Sequence, residues 1–246
     1  MNDDRHMKAV ILAGGRGTRL SEETQMRPKP MLKIGEKPVL WHIMKIFSHY
    51  NINDFVICCG YKGEIIKEYF ENISEKWNID LVDTGLDTMT GGRIKRIQKY
   101  IDNKRFFLLY GDDLKSVNIP ELLNFHIKNK KLVTVTAAQP PGRFGILKLD
   151  EDNVIEMREK PPGDESWING GYYVLEPEIF NYLSKDSDVW EGEPLHKLIK
   201  EKQVSAFKYN GIYQPLDTLR DKINLEKMWD DGNPYWKVWE YFLKNI

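Results

Sequence analysis

Four short apolar runs in the first half of the chain are separated by segments of helical periodicity, and this alternation restricts the fold more than any other feature. The runs are "AVILA" (9–13), "FVICCG" (55–60), "IDLVD" (79–83) and "RFFLLYG" (105–111). A continuous apolar run bounded by glycine suits a strand buried on both faces. Between them, "PVLWHIMKIFSHY" places Leu40, Ile43, Met44 and Phe47 at helical spacing, with Pro38 suited to a first helical position. "GEIIKEYFENI" and "RIKRIQKYI" read as further helices. Strand–helix repeats of this kind build parallel sheets with right-handed crossovers. Ligands of such sheets bind beyond the carboxyl ends of the strands. The loop after Ala13 and the "YGDD" of 110–113 are therefore expected to face one crevice.

After Pro120 the pattern loosens. "LVTVTAAQ" and "INGGYYVLEP" read as strands, and "FGILKLDEDNVIEMREKP" as two strands joined at an Asp/Asn turn. "PLHKLIKEKQ" and "LRDKINLEKMWDDG" read as helices, and the tail carries Trp236, Trp239, Tyr241 and Phe242. No linker or repeat interrupts the sequence. Residues 7–246 are read as one domain with a C-terminal helical and aromatic tail, and the polar residues 1–6 as a tag or variable extension. So aromatic a tail either covers the sheet or meets another subunit.

Composition excludes several function classes. Lys plus Arg number 36 and Asp plus Glu 37, a formal net charge of −1. That leaves no global basic field for nucleic acid or an anionic membrane, so phosphate chemistry must use local charge. The two cysteines, Cys58 and Cys59, are adjacent in an apolar run and read as small core residues in a reducing compartment. No apolar run approaches the roughly 18–20 residues of a membrane span, and the first residues lack a signal peptide's apolar core. The expectation is a cytoplasmic protein. The histidines show no metal-ligand spacing.

The loop "AGGRGTRLSEETQMRPKP" departs from two familiar phosphate motifs. A dinucleotide fingerprint needs a third glycine where Leu20 stands, and no Lys-Ser/Thr pair of a P-loop follows. A dehydrogenase also needs an acidic residue after the second strand, where "CCGYKG" has none. Gly14, Gly15 and Gly17 instead let successive backbone N–H groups approach an anion. Arg19 adds a planar donor fork, and Lys29 is a point charge held between Pro28 and Pro30. Together they describe a polyphosphate clamp. An unstructured loop of roughly 20 residues in a compact domain is usually functional.

"LAGGRGTRL" followed by "RPKPM" resembles the signature of the nucleoside-diphospho-sugar pyrophosphorylases. Further stretches, among them "KPVLWHIM", "MTGGRIKR", "EKPPGD", "INGGYYVL" and "QPLDTLRDK", are similar to that family's glucose-1-phosphate cytidylyltransferase branch. The resemblance implies a Rossmann-like nucleotidyltransferase fold, α/β with a mostly parallel mixed central sheet flanked by helices. It also implies Mg²⁺ dependence, pyrophosphate release and a homo-oligomer. By the same resemblance, Leu12, Ala13, Gly14, Gly15, Gly17, Thr18, Arg19 and Lys29 hold the triphosphate. Thr90, Gly91, Gly92 and Arg93 form the base pocket, where an arginine can donate to cytosine. Gly111 and Asp112 lie at the nucleotide, and Asp112 and Asp217 would hold the metal. Glu159, Lys160, Asn169, Gly170 and Gly171 would hold the acceptor, and Arg19, Lys29 and Lys160 would be catalytic. Such an enzyme would join CTP to a phosphate-monoester acceptor, α-D-glucose 1-phosphate in that branch, to give a CDP-linked product and pyrophosphate.

Two departures bear on that acceptor. Between "KEYF" and "LVDTG" stands only "ENISEKWNID", shorter than in the glucose-1-phosphate enzymes, and Asp113 replaces a glycine. A related branch acting on phosphoglutamine, and a non-catalytic nucleotide-sugar sensor on the same fold, are the alternatives. Each residue also has a plainer reading. Asp112 and Asp113 could cap a turn, Asp217 could start a helix at Thr218, and Glu159 with Lys160 could be an exposed charge pair.

Overall fold

The computed structural model describes residues 7–140, 146–159 and 166–240. The first half follows the strand–helix alternation: β1 (Lys8–Leu12), α1 (Val39–His49), β2 (Asp54–Cys59), α2 (Gly63–Glu71), β3 (Asn78–Asp83), α3 (Thr90–Arg96) and β4 (Phe106–Tyr110). The second half adds β5 (Asp113–Leu114), α4 (Ile119–Asn129), β6 (Val133–Ala138), β7 (Ile146–Asp150), β8 (Asn153–Arg158) and β9 (Ile168–Leu175). It closes with α5 (Glu193–Lys200), β10 (Val204–Tyr209), β11 (Gln214–Pro215) and α6 (Leu219–Asp230).

Seven strands form the main sheet, in the order β10-β6-β9-β4-β1-β2-β3. β1 lies parallel to β4 and β2, and β2 to β3. β9 is antiparallel to both β4 and β6, whereas β10 runs parallel to β6. The sheet is thus mixed and mostly parallel. Side-chain alternation divides it into two faces: Ala9, Ile11, Phe55, Ile57 and Cys59 enter one core, and Val10, Leu12, Val56 and Cys58 the other. The neighbouring cysteines therefore point to opposite sides of the sheet. Both are free and buried, and burial pushes the Cys59 thiol up to about 12.

Local chemistry explains where elements differ from the sequence reading. Pro38 is the N-cap of α1, with ψ 153°, so the helix starts one residue later than expected. "RIKRIQKYI" splits into the end of α3 and a separate tight turn, Gln98–Tyr100. The long glycine loop is not structureless; it contains short helical turns at Thr18–Leu20, Ser21–Thr24 and Lys29–Met31. Helix α4 and strand β10 were not anticipated. Yet α4 has a legible start: Asn118 accepts from the Glu121 N–H at 3.2 Å, and Pro120 lies in the first turn.

The C-terminal tail, as far as it is described, covers this chain's own core. Trp236 is fully buried, and Trp229 and Trp239 pack against the same cluster. Together with Trp41 their rings surround His42 at centroid distances of 5.0–6.2 Å. His42 Nε2 lies 2.9 Å from the Ile34 carbonyl oxygen. Burial lowers its pKa to about 4 despite that contact. Tyr241 and Phe242 lie outside the described residues.

Candidate active site

A crevice of about 370 Å³ opens at the carboxyl end of β1 and β4. Leu12, Ala13, Gly14, Gly15, Gly17, Thr18, Arg19 and Lys29 line one side, and Thr90, Arg93, Asp112 and Asp217 complete it. The loop and the "YGDD" turn, 80 to 100 residues apart in sequence, thus face one cavity as parallel-sheet topology requires. Pro30, Thr88, Met89 and Tyr110 also line it and were not anticipated. Tyr110 had a signal, since it ends a strand next to Asp112.

Two cations and two carboxylates meet in this crevice. Lys29 Nζ donates to Asp112 Oδ2 at 2.7 Å and to Asp217 Oδ1 at 2.8 Å. Arg19 Nη1 donates to Asp217 Oδ2 at 2.6 Å. Lys29 is buried while the Arg19 side chain is three-quarters exposed. Burial alone would lower the Lys29 pKa, but its two carboxylate partners outweigh that and hold it above the ordinary value. The ammonium is therefore fixed as a cation between two acids.

The backbone brings those acids together. β5 and β11 form an antiparallel ribbon with Asp113 opposite Pro215, so Asp112 and Asp217 flank the same end of it. Helix α6 begins at Leu219 with Thr218 as its cap. Thr218 Oγ1 accepts from the Asp221 N–H at 3.2 Å, and Asp221 Oδ2 accepts from the Thr218 N–H at 2.9 Å. The capping role suggested for Asp217 belongs to Thr218, which leaves the Asp217 carboxylate directed at the two cations.

Asp113 turns away from the crevice. It pairs with Lys115, which is fully buried between the rings of Tyr172 and Tyr213, 4.8 and 4.9 Å from their centroids. Burial pushes the Asp113 pKa up and the Lys115 pKa down, each against the pull of its partner. The unusual second aspartate is thus half of an internal ion pair beneath the ribbon.

Arg93 lines the crevice while its guanidinium is held by the protein itself. Its Nη1 donates to the Cys59 carbonyl, Thr84 Oγ1 and the Gly85 carbonyl at 2.7–3.1 Å. Its Nη2 donates to the Gly14 carbonyl at 3.0 Å and the Leu86 carbonyl at 3.3 Å. One guanidinium thereby ties together the loops that leave β1, β2 and β3. A Cβ on Gly14 would lie 2.1 Å from Arg93 Nη1, so this close approach requires glycine. Gly91 and Gly92 line no part of the crevice; a Cβ on either would meet the backbone of Asp188 or Asp186. They let α3 pack closely, and Gly111 serves the sheet, its N–H donating to the Leu12 carbonyl at 3.0 Å.

On the acceptor side, Asn169, Gly170 and Gly171 begin β9 beside Tyr110 and Tyr173. Glu159 is exposed just after β8. Lys160 lies outside the described residues. Among the described residues no three His, Cys, Asp or Glu side chains cluster as a metal site, and no helix is long and apolar enough to cross a membrane.

An α/β sheet that sets a glycine loop at the end of an interior strand, opposite paired acids and flanking cations, is the arrangement of a phosphate-handling nucleotide transferase. Its residues 8–236 match the sequence profile of the family described as Nucleotidyl transferase, and the chain belongs to that family. Glucose-1-phosphate cytidylyltransferase of Salmonella typhi is 48% identical over 257 residues, covering 95% of this chain and all of that protein. The Bacillus subtilis (strain 168) protein named "Probable glucose-1-phosphate cytidylyltransferase" is 40% identical over 255 residues, again covering 95% and 100%. The solved structure of apo UDP-glucose pyrophosphorylase superposes with a TM-score of 0.72 at 19% identity, over 92% of this chain and 99% of that one, a likeness of fold.

Proposed function

We propose that this protein transfers a cytidylyl group from CTP to α-D-glucose 1-phosphate, giving CDP-glucose and pyrophosphate. The observation that carries the reading is the convergence of Arg19, Lys29, Asp112 and Asp217 at the mouth of the glycine loop. A phosphate oxygen of the acceptor attacks the α-phosphorus in line, and the bond to the bridging oxygen of the β-phosphate breaks. The nucleophile is already anionic, so no general base is needed. The obstacle is the approach of two polyanions.

The backbone N–H groups of 14–18 cradle the triphosphate, while Arg19 and Lys29 compensate charge that grows on the departing pyrophosphate. Lys160 would hold the acceptor phosphate, with Glu159 and Asn169 near its hydroxyls. The described charge cluster is balanced, two cations against two acids, so it has no excess positive charge for a triphosphate. A divalent ion, Mg²⁺ by its oxygen preference, fits Asp112 and Asp217 because Mg²⁺ characteristically takes one or two carboxylates and completes its shell with substrate phosphates and water. When bound it supplies Lewis-acid stabilisation of phosphoryl charge.

Pyrophosphate release, measured with CTP, UTP and dTTP against glucose 1-phosphate and phosphoglutamine, tests the reading. CTP with glucose 1-phosphate is expected to turn over fastest and to require the divalent ion. Asp112→Asn and Asp217→Asn should each lower the rate about a hundredfold or more. Preference for phosphoglutamine would reassign the acceptor, and normal turnover in both variants would remove the metal assignment.

A further inference from the structure

Behind the crevice a single carboxylate gathers hydroxyl groups from two of its walls. Glu191 precedes α5 and does not itself line the cavity. Its Oε2 accepts from Thr90 Oγ1 at 2.7 Å, and its Oε1 accepts from the Tyr110 hydroxyl. Thr90 opens α3, Tyr110 closes β4, and both side chains belong to residues that line the crevice.

Valence fixes the direction of the protons on Thr90 and Tyr110. A carboxylate only accepts, so each hydroxyl directs its one proton at Glu191. Thr90 Oγ1 in turn accepts the backbone N–H of Trp190 at 2.9 Å. On the other flank, the Gly171 N–H donates to Asn169 Oδ1 at 2.9 Å, which orients that amide. Its Nδ2 therefore faces the tyrosines, 2.5 Å from the Tyr173 hydroxyl and 3.4 Å from that of Tyr110. The donor directions run toward Glu191 from both the nucleotide side and the acceptor side. The Tyr173 hydroxyl, 3.5 Å from that of Tyr110, is left to donate to it, so the Tyr110 oxygen is met by Asn169 and Tyr173 and keeps no lone pair for the crevice. Thr90 Oγ1, with one backbone donor, keeps one lone pair and no proton to offer.

We propose that Glu191 is a positioning residue for specificity: held by the Tyr110 hydroxyl, it orders the hydroxyl of Thr90 as an acceptor, and the crevice thereby selects a substrate group that donates a hydrogen bond. The inference rests on the cytidylyl-transfer reading above. Two groups of the proposed substrates have that chemistry, the exocyclic amine of cytosine and a hydroxyl of the acceptor sugar. Uracil presents a carbonyl where cytosine has its amine, so its lone pairs would face those of the wall. A deoxy sugar would leave a wall oxygen unpaired. Sites built around a hydrogen bond reject analogues that cannot make it far more strongly than apolar pockets reject a change of size.

Steady-state kinetics on two substrate pairs test this: CTP against UTP with glucose 1-phosphate, and glucose 1-phosphate against its monodeoxy analogues with CTP. Glu191→Gln keeps the size of the side chain but adds an amide donor, and with that amide toward Thr90 the Thr90 hydroxyl must turn its proton toward the crevice. The ratio of kcat/KM within one pair should fall at least tenfold in Glu191→Gln and survive in Glu191→Asp, which still only accepts. Collapse in the nucleotide pair assigns the cytosine amine, and collapse in the sugar pair assigns the hydroxyl. A ratio cancels the fraction of folded enzyme, so equal loss on all substrates would show a purely structural role and overturn the proposal, as would unchanged ratios. Wild-type enzyme inactive on CTP and glucose 1-phosphate would instead overturn the reading beneath it.

Discussion

Lys115 shows how much one buried charge can be asked to hold. It is fully buried, and the carboxylate that neutralises it follows directly after Asp112. Removing one member of a buried pair leaves the other charged and desolvated, which typically costs 3–5 kcal/mol. Lys115→Met is therefore expected to lower unfolding stability by about 3–5 kcal/mol in urea titrations, and adding Asp113→Asn should restore at least half of it. A single-variant loss below about 1 kcal/mol would mean the pair is not formed as described. Nothing in the sequence announced this pair; "GDDLK" reads equally well as a polar turn, because one aspartate faces the crevice while its neighbour faces inward. Lys29 was legible for the opposite reason. Two prolines and a glycine loop left few places for its chain to go. Arg93 lines the crevice, and its five protein acceptors were not legible because they come from loops whose meeting depends on strand order.

At the scale of elements, the tail beyond α6 and helix α1 form one unit around His42. The imidazole of an unfolded chain takes a proton below about pH 6.5, whereas the folded one stays neutral down to about 4. The unfolded state binds more protons in that window, so the stabilising contribution is full above pH 6.5 and is lost as the pH falls toward 4. Wild-type protein should lose about 3 kcal/mol more than His42→Gln between pH 7 and pH 4. Parallel pH dependence in the two proteins would show that His42 is not the titrating group. The first-half elements were readable because strands buried on both faces give unbroken apolar runs, as "AVILA" does. Strand β10 was not: it is an edge strand of mixed exposure, "VSAFKY", whose pattern is nearly featureless. Helix α4 was passed over because Pro120 reads as a break unless Asn118 is noticed as a cap.

For the whole molecule, the glycine loop, α3, the turn after β4 at Asp112 and the entry to α6 at Asp217 all reach one crevice, so a ligand there bridges parts that are distant in sequence. Saturating CTP with Mg²⁺, at about a hundred times the dissociation constant, should add about 2.7 kcal/mol to global stability. For a domain of this size that corresponds to a rise in Tm of roughly 5–10 °C. Thermal scans with and without a chelator would check this; a shift that survives chelation undiminished would exclude a metal-dependent triphosphate site. The alignment to the Salmonella typhi relative spans 257 positions, more than the 246 residues here, so that protein has residues this chain lacks. Here α2 and β3 are joined by only Asn72 to Trp77. The inward cysteines have a practical corollary. With both thiols sealed in opposite cores and held protonated, alkylating reagents meet no reactive sulfur on the native protein. A cysteine placed at exposed Leu149 on the β7–β8 hairpin would accept a fluorophore or spin label against a silent background.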